Sequence, residues 1–131
     1  MRQVIANEAS KSIQKILLVD DSKTELYHLS ELLGRRGYQV RTAANGDEAM
    51  RRLAEDTPDL ILMDVVMPGL NGFQLTRTIT RDPRWAAVPV IMCTSKNQQT
   101  DKVWGMRQGA RDYIVKPVDA DELIGKIKAF G

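Results

Sequence analysis

Five short, mostly apolar runs recur along the chain, and each stops at a polar or charged residue. KILLV ends at Asp20-Asp21, Gln39 to Ala44 ends at Asn45, LILM (Leu60 to Met63) at Asp64, Val88 to Cys93 at Thr94-Ser95, and Tyr113 to Val115 at Lys116. Most of these runs do not alternate apolar with polar, as expected of strands covered on both faces. Between them, apolar residues recur at helical spacing: Leu26, Leu29 and Leu33; Ala49, Met50 and Leu53; Phe73, Leu75 and Ile79; Leu123, Ile124 and Ile127. A further helix is expected from about Thr100 to Gln108. Strands alternating with helices predict an α/β fold, a doubly wound (βα)5 parallel sheet of five strands. The flavodoxin-like strand order 2-1-3-4-5 is one of the two common solutions.

Local signals punctuate this pattern. Gly34 to Gly37 stop the first helix, and Asn45 with Glu48 three residues on reads as an N-terminal cap. Pro58 breaks the second helix, Asn71 opens the third, Asp82-Pro83 closes it, and Gly109 closes the fourth. Pro117 and Asp119 begin the last. Residues 1–14 are polar and without period, a flexible leader; residues 15–131 form one domain.

Composition narrows the function classes. At 43% hydrophobic residues the chain can build a single core. No apolar run approaches the roughly 20 residues that span a bilayer, and the N-terminus lacks the apolar stretch of a signal peptide, so a cytoplasmic protein without membrane insertion is expected. The single cysteine, Cys93, excludes an internal disulfide and sits in an apolar run, as a buried thiol. The net charge is only +2 and the basic residues are scattered, which gives little support to nucleic acid binding.

In a parallel sheet the ends of successive strands meet at one edge. That edge is where ligands bind in open α/β sheets. Here it would collect Asp20, Asp21, Asp64, Thr94 and Lys116. Crowded carboxylates repel, and a hard cation or the Lys116 ammonium would relieve them. Oxygen donors without His or Cys suit Mg²⁺ or Mn²⁺. Thr94 adds a hydroxyl for a phosphoryl oxygen. The set suits phosphoryl transfer to a carboxylate.

The motifs DD, D-x-x-M-P-G-x-x-G, T-S and K-P, in this order, resemble the receiver domain of bacterial two-component response regulators, the CheY-like family. The resemblance covers about Lys15 to Phe130. It implies Asp64 as phosphoacceptor, Asp21 as direct Mg²⁺ ligand, Asp20 acting mainly through water, and the Val66 backbone carbonyl completing the metal site. It further implies Lys116 on the phosphoryl group, Pro117 after a cis bond, and Thr94 with Tyr113 as a switch pair. The stretches VMPGLNGFQLTR, VPVIMCTSKNQQTDKVWG and GARDYIVKPVD resemble the small stand-alone regulators of type IV pilus twitching motility, the PilH type. The implied partners are a CheA-like histidine kinase and a protein target docking on the fourth helix, fifth strand and fifth helix of a monomer.

Other readings compete. A phosphate sink draining a shared kinase has the same residues. A Mg²⁺-dependent phosphatase with an aspartate nucleophile would carry an acid two residues after it, where this chain has Val66. A flavodoxin-like nucleotide carrier would need a phosphate loop where DDSKTE offers two carboxylates. Lys96 and Val66 are expected to flank the phosphoryl site. His28, the only histidine, reads as a surface or boundary residue on the first helix. Trp85 is expected to anchor a loop by burial, Trp104 to pack in the core, and the methionines to fill it.

Overall fold

The computed structural model describes residues 12–65, 71–94 and 99–131, the side chains of 99–102 excepted. The elements are β1 (Lys15–Val19), α1 (Lys23–Arg35), β2 (Gln39–Ala43), α2 (Gly46–Glu55), β3 (Leu60–Asp64), α3 (Gly72–Arg81), β4 (Val90–Thr94), α4 (Gln99–Arg107), β5 (Asp112–Val115) and α5 (Ala120–Lys128). All strand pairs are parallel, in the order β2-β1-β3-β4-β5. The expected fold is the observed one. β3 and β4 each run one residue further than their apolar stretch, to Asp64 and Thr94, because the ladder pairs Asp64 with Cys93 and Thr94 with Val115.

Two apolar layers sandwich the sheet. Leu17, Val19, Ile61, Met63, Val90 and Met92 face α2 and α3, where Leu53, Leu75 and Ile79 close over them. Ile16, Leu18, Leu62, Ile91, Cys93 and Ile114 face the other way, against Leu29 and Leu33 of α1 and Leu123 and Ile127 of α5. Alternate side chains of one strand therefore feed opposite cores, and this is why the runs look continuously apolar. The edge strands are the exceptions: only Ala43 of β2 and only Ile114 of β5 are fully buried, and Arg41 reaches Glu55 on α2.

Side-chain caps fix where helices begin. Ser22, Asn45, Asn71 and Asp119 each accept the backbone N–H three residues on. Asn71 and Gln74 form a reciprocal capping box. The Asn45–Glu48 pair departs from that pattern, since the Glu48 carboxylate accepts from Ala44 N–H rather than from the cap residue itself. Trp85 is buried, 3% exposed, as expected.

Trp104 is not in the core. It is 50% exposed, with Val103 and Met106 exposed on either side of Gly105. Gly105 is the buried position of α4 among its described side chains, and a Cβ there would come within 3.1 Å of Met92 Cγ. The helix thus rests its backbone on β4, and its larger apolar side chains are left on the outside. Met106 is likewise surface rather than core filling, whereas Met63 and Met92 are buried.

Candidate functional site

Three carboxylates converge at the carboxyl edge of the sheet. Asp20 directly follows β1 and Asp64 ends β3, and oxygens of Asp20, Asp21 and Asp64 lie within 4.8 Å of one another. Neighbours in sequence differ sharply in setting. Asp20 and Asp64 are buried at 4% and 7% exposure, whereas Asp21 is exposed. The cluster is oxygen-only and open to water on one side. Its donors fit a hard divalent cation that keeps part of its hydration shell.

Lys116, just past β5, reaches into the cluster. Its Nζ donates to Asp20 Oδ2 at 2.9 Å and Asp64 Oδ1 at 3.0 Å. The bridge therefore spans the two buried acids. Burial works against the ammonium, but the two carboxylates outweigh it and hold Lys116 well above the usual lysine range. Asp64 moves the other way from a typical salt-bridged acid. Desolvation lifts its pKa, Lys116 lowers it, Asp20 and Asp21 lift it again, and the net shift is upward. The site is thus short of positive charge by its own residues.

Backbone geometry holds these groups in place. Ser22 N–H donates to Asp20 Oδ1 at 2.9 Å while the Ser22 hydroxyl caps α1, so one residue fixes both the acid and the helix that follows. The S-x-x-E spacing of Ser22 and Glu25 carried this signal in the sequence. Gly72 N–H donates to Val65 O at 2.9 Å, and a Cβ on Gly72 would fall 2.0 Å from the Asp64 carbonyl oxygen. Only glycine permits α3 to start this close to the acid. Lys116 N–H donates to Thr94 O at 2.6 Å, which ties the lysine's backbone to the end of β4, and the Lys116–Pro117 bond is cis.

Thr94 is buried at the end of β4. Tyr113, on β5, is half-buried against the α2–α3 core, with the Lys126 ammonium 5.4 Å from its ring centre. Cys93, beside Thr94, is a buried thiol pushed up to about 12 by desolvation, hence inert at neutral pH. His28 is exposed on α1. Val66, whose backbone carbonyl was expected to complete the metal site, and Lys96 lie outside the described residues.

A model of the response regulator receiver domain matches residues 16–128, from the start of β1 to the end of α5. The chain belongs to the response regulator receiver family. It is 54% identical to the protein PilH of Pseudomonas aeruginosa over 115 residues, covering 88% of this chain and 95% of PilH. It is 40% identical to the transcriptional regulatory protein AfsQ1 of Streptomyces coelicolor over 114 residues, 87% of this chain but 49% of that protein. The crystal structure of the chemotaxis protein CheY4 of Vibrio cholerae superposes with a TM-score of 0.86 at 30% identity, over 92% of this chain and 100% of that one. Among the described residues, no helix is long and apolar enough to cross a membrane.

Proposed function

We propose that this receiver accepts a phosphoryl group on Asp64 from a phosphohistidine kinase and signals through phosphorylation-dependent protein binding. The observation that carries this reading is the arrangement around Asp64: a buried carboxylate at a strand end, beside two further acids and bridged by one lysine. An Asp64 oxygen would attack phosphorus as the phosphorus–nitrogen bond breaks. The electron pair stays on the imidazole nitrogen, which takes a proton from solvent. Asp20, Asp21 and Asp64 would hold a divalent cation, which when bound neutralises charge gathering on the phosphoryl oxygens. Lys116 would supply the second positive charge by leaving Asp20 for a phosphoryl oxygen, and the Thr94 hydroxyl would donate to another.

Output would follow from those two donors. The new group adds roughly −1.5 to −2 charge. A shift from 1:99 to 99:1 needs about 5.5 kcal/mol. Two or three charge-assisted bonds at roughly 1.5–3 kcal/mol each total about 3–9 kcal/mol, and reach that only if they form mainly in the active state. Thr94 and Tyr113 would act as the switch pair, altering the surface of α4, β5 and α5 where a target docks. The exposed Val103, Trp104 and Met106 on α4 support that surface as a protein contact. The 54% identity to PilH supports a stand-alone regulator; the resemblance of its motifs to the PilH-type regulators carries the reading to type IV pilus twitching motility, and we take the protein to act as a monomer in the cytoplasm with a CheA-like kinase. Draining that kinase as a phosphate sink is an alternative output of the same site. The test is phosphotransfer from purified kinases of the same organism, followed by pull-down with both forms of the protein. One kinase is expected to transfer fastest, and the phosphorylated form to retain its target more strongly. Transfer without any phosphorylation-dependent target would favour the sink.

A further inference from the structure

The amino edge of the sheet, opposite Asp64, holds a groove that the reactions above leave unused. It encloses about 460 Å³, within the range of ligand-binding clefts. Its apolar lining comes from Ile13, Pro58, Ala87, Val88, Pro89 and Phe130, and its rim carries Arg84 and Arg111. Five residue steps along β3 lead from Asp59, in this groove, to Asp64, roughly 16 Å at the rise of a strand. The two sites can therefore be filled at once.

The charge of the rim is organised. Arg84 lies 4.1 Å over the Trp85 ring and donates to both Asp82 oxygens, at 3.1 and 2.8 Å, which fixes the guanidinium on a side chain that is still 65% exposed. Arg111 is exposed and forms no ion pair among the described residues. The carboxylate lining the groove, Asp59, is held through one oxygen, Oδ2, which accepts from the backbone N–H groups of Gln14 and Lys15, each at 2.9 Å. Arg81 and Arg107 end α3 and α4 at the same edge of the sheet, and α3 contains no acid at all. α2 is built differently, with Arg52 set between Glu48 and Glu55.

We propose that this groove binds an acidic segment of a partner protein, anchored by apolar side chains on the groove floor and by carboxylates on Arg84 and Arg111. Arginine and aromatic groups around an apolar floor are the composition of protein interfaces. Two rim arginines on separate loops suit separate carboxylates better than a continuous phosphate backbone. The chain's own first residues are the wrong sign for the rim, carrying Arg2 and Lys11 against Glu8. Such a contact would tether the regulator to a partner regardless of its phosphorylation state.

Amide NMR of the full chain, titrated with a synthetic peptide of leucines set among glutamates, tests this. The expected shifts fall on Thr57, Ala87, Val88, Arg111 and Phe130. The glutamine counterpart of the peptide should bind at least fivefold more weakly, and so should the acidic peptide to Arg84→Gln/Arg111→Gln. Arg111→Gln alone leaves the Arg84–Asp82 pair intact and should still weaken binding. Asp64→Asn should bind as the wild type, which separates this result from any failure of the phosphoryl-transfer reading. Shifts confined to other amides, equal binding of the glutamine peptide, or tighter binding of duplex DNA at these amides would overturn the proposal. Peptide binding that appears only after residues 1–11 are removed would make the leader the occupant and overturn it as well.

Discussion

Removing the charge of Asp64 should stabilise the metal-free protein. At an effective dielectric of about 20, a like pair within 4.8 Å repels by about 3.5 kcal/mol, so Asp20 and Asp21 together oppose ionised Asp64 by about 7 kcal/mol. Lys116 at 3.0 Å returns about 5.5 kcal/mol. Asp21 is exposed, so water screens its share and the charge terms come close to cancelling. Desolvation then decides the sign, and with Asp64 only 7% exposed it disfavours the charge. In Asp64→Asn the amide oxygen can still accept from Lys116, so the variant sheds the penalty and keeps a hydrogen bond. The net gain should be about 1–3 kcal/mol, against a penalty of several kcal/mol for a fully buried ion. For a chain of this size that raises Tm by roughly 3 °C or more.

The pH dependence follows from the upward shift of Asp64. Its folded pKa lies above its unfolded value, so the ionised group costs stability in full above the folded pKa and nothing below the unfolded one. The advantage of Asp64→Asn should therefore be complete above the folded pKa of Asp64 and fade as pH falls from there to the unfolded value. The assay is urea denaturation in EDTA at several pH values. Saturating Mg²⁺ should narrow the gap by stabilising the wild type more. An Asp64→Asn protein less stable than wild type in EDTA at neutral pH would refute the reasoning.

Gly72→Ala should cost at least about 1–3 kcal/mol in thermal melts, the usual range for overpacking, and should also slow phosphorylation, because the new Cβ falls on the Asp64 carbonyl; a neutral variant would contradict the close approach. Thr94→Ala should still take phosphate on Asp64 yet lose much of its phosphorylation-dependent target binding in pull-downs, and undiminished binding would rule out this coupling. Trp104→Ala should change stability by about 0.5 kcal/mol or less, as for an exposed site, while weakening target binding measured by titration.

The sheet was legible because each strand feeds two cores, which forces an apolar residue at nearly every position of β1, β3 and β4. The edge acids were legible because parallel strands carry their ends to one side. Neighbouring acids could not be told apart in the same way. Whether Asp20 or Asp21 turns inward depends on Ser22 N–H and on the reach of Lys116, a contact across 96 residues. Trp104 misled for a physical reason. In α4 the buried position is Gly105, and a glycine that seats a helix by backbone contact leaves no apolar stripe to read. In the sequence Gly72 is only the last position of D-x-x-M-P-G-x-x-G, and its distance from the Asp64 carbonyl is what reveals that it lets α3 begin beside the acid.

The most direct test of the central claim is site mapping after incubation with acetyl phosphate and Mg²⁺. Intact-mass and peptide mass spectrometry should find one added phosphoryl group, labile to base and stable to acid, on Asp64. It should vanish in Asp64→Asn and in wild type treated with EDTA. Labelling of the Asp64→Asn protein to the wild-type level, or a phosphoryl group mapped elsewhere in the wild type, would contradict the account.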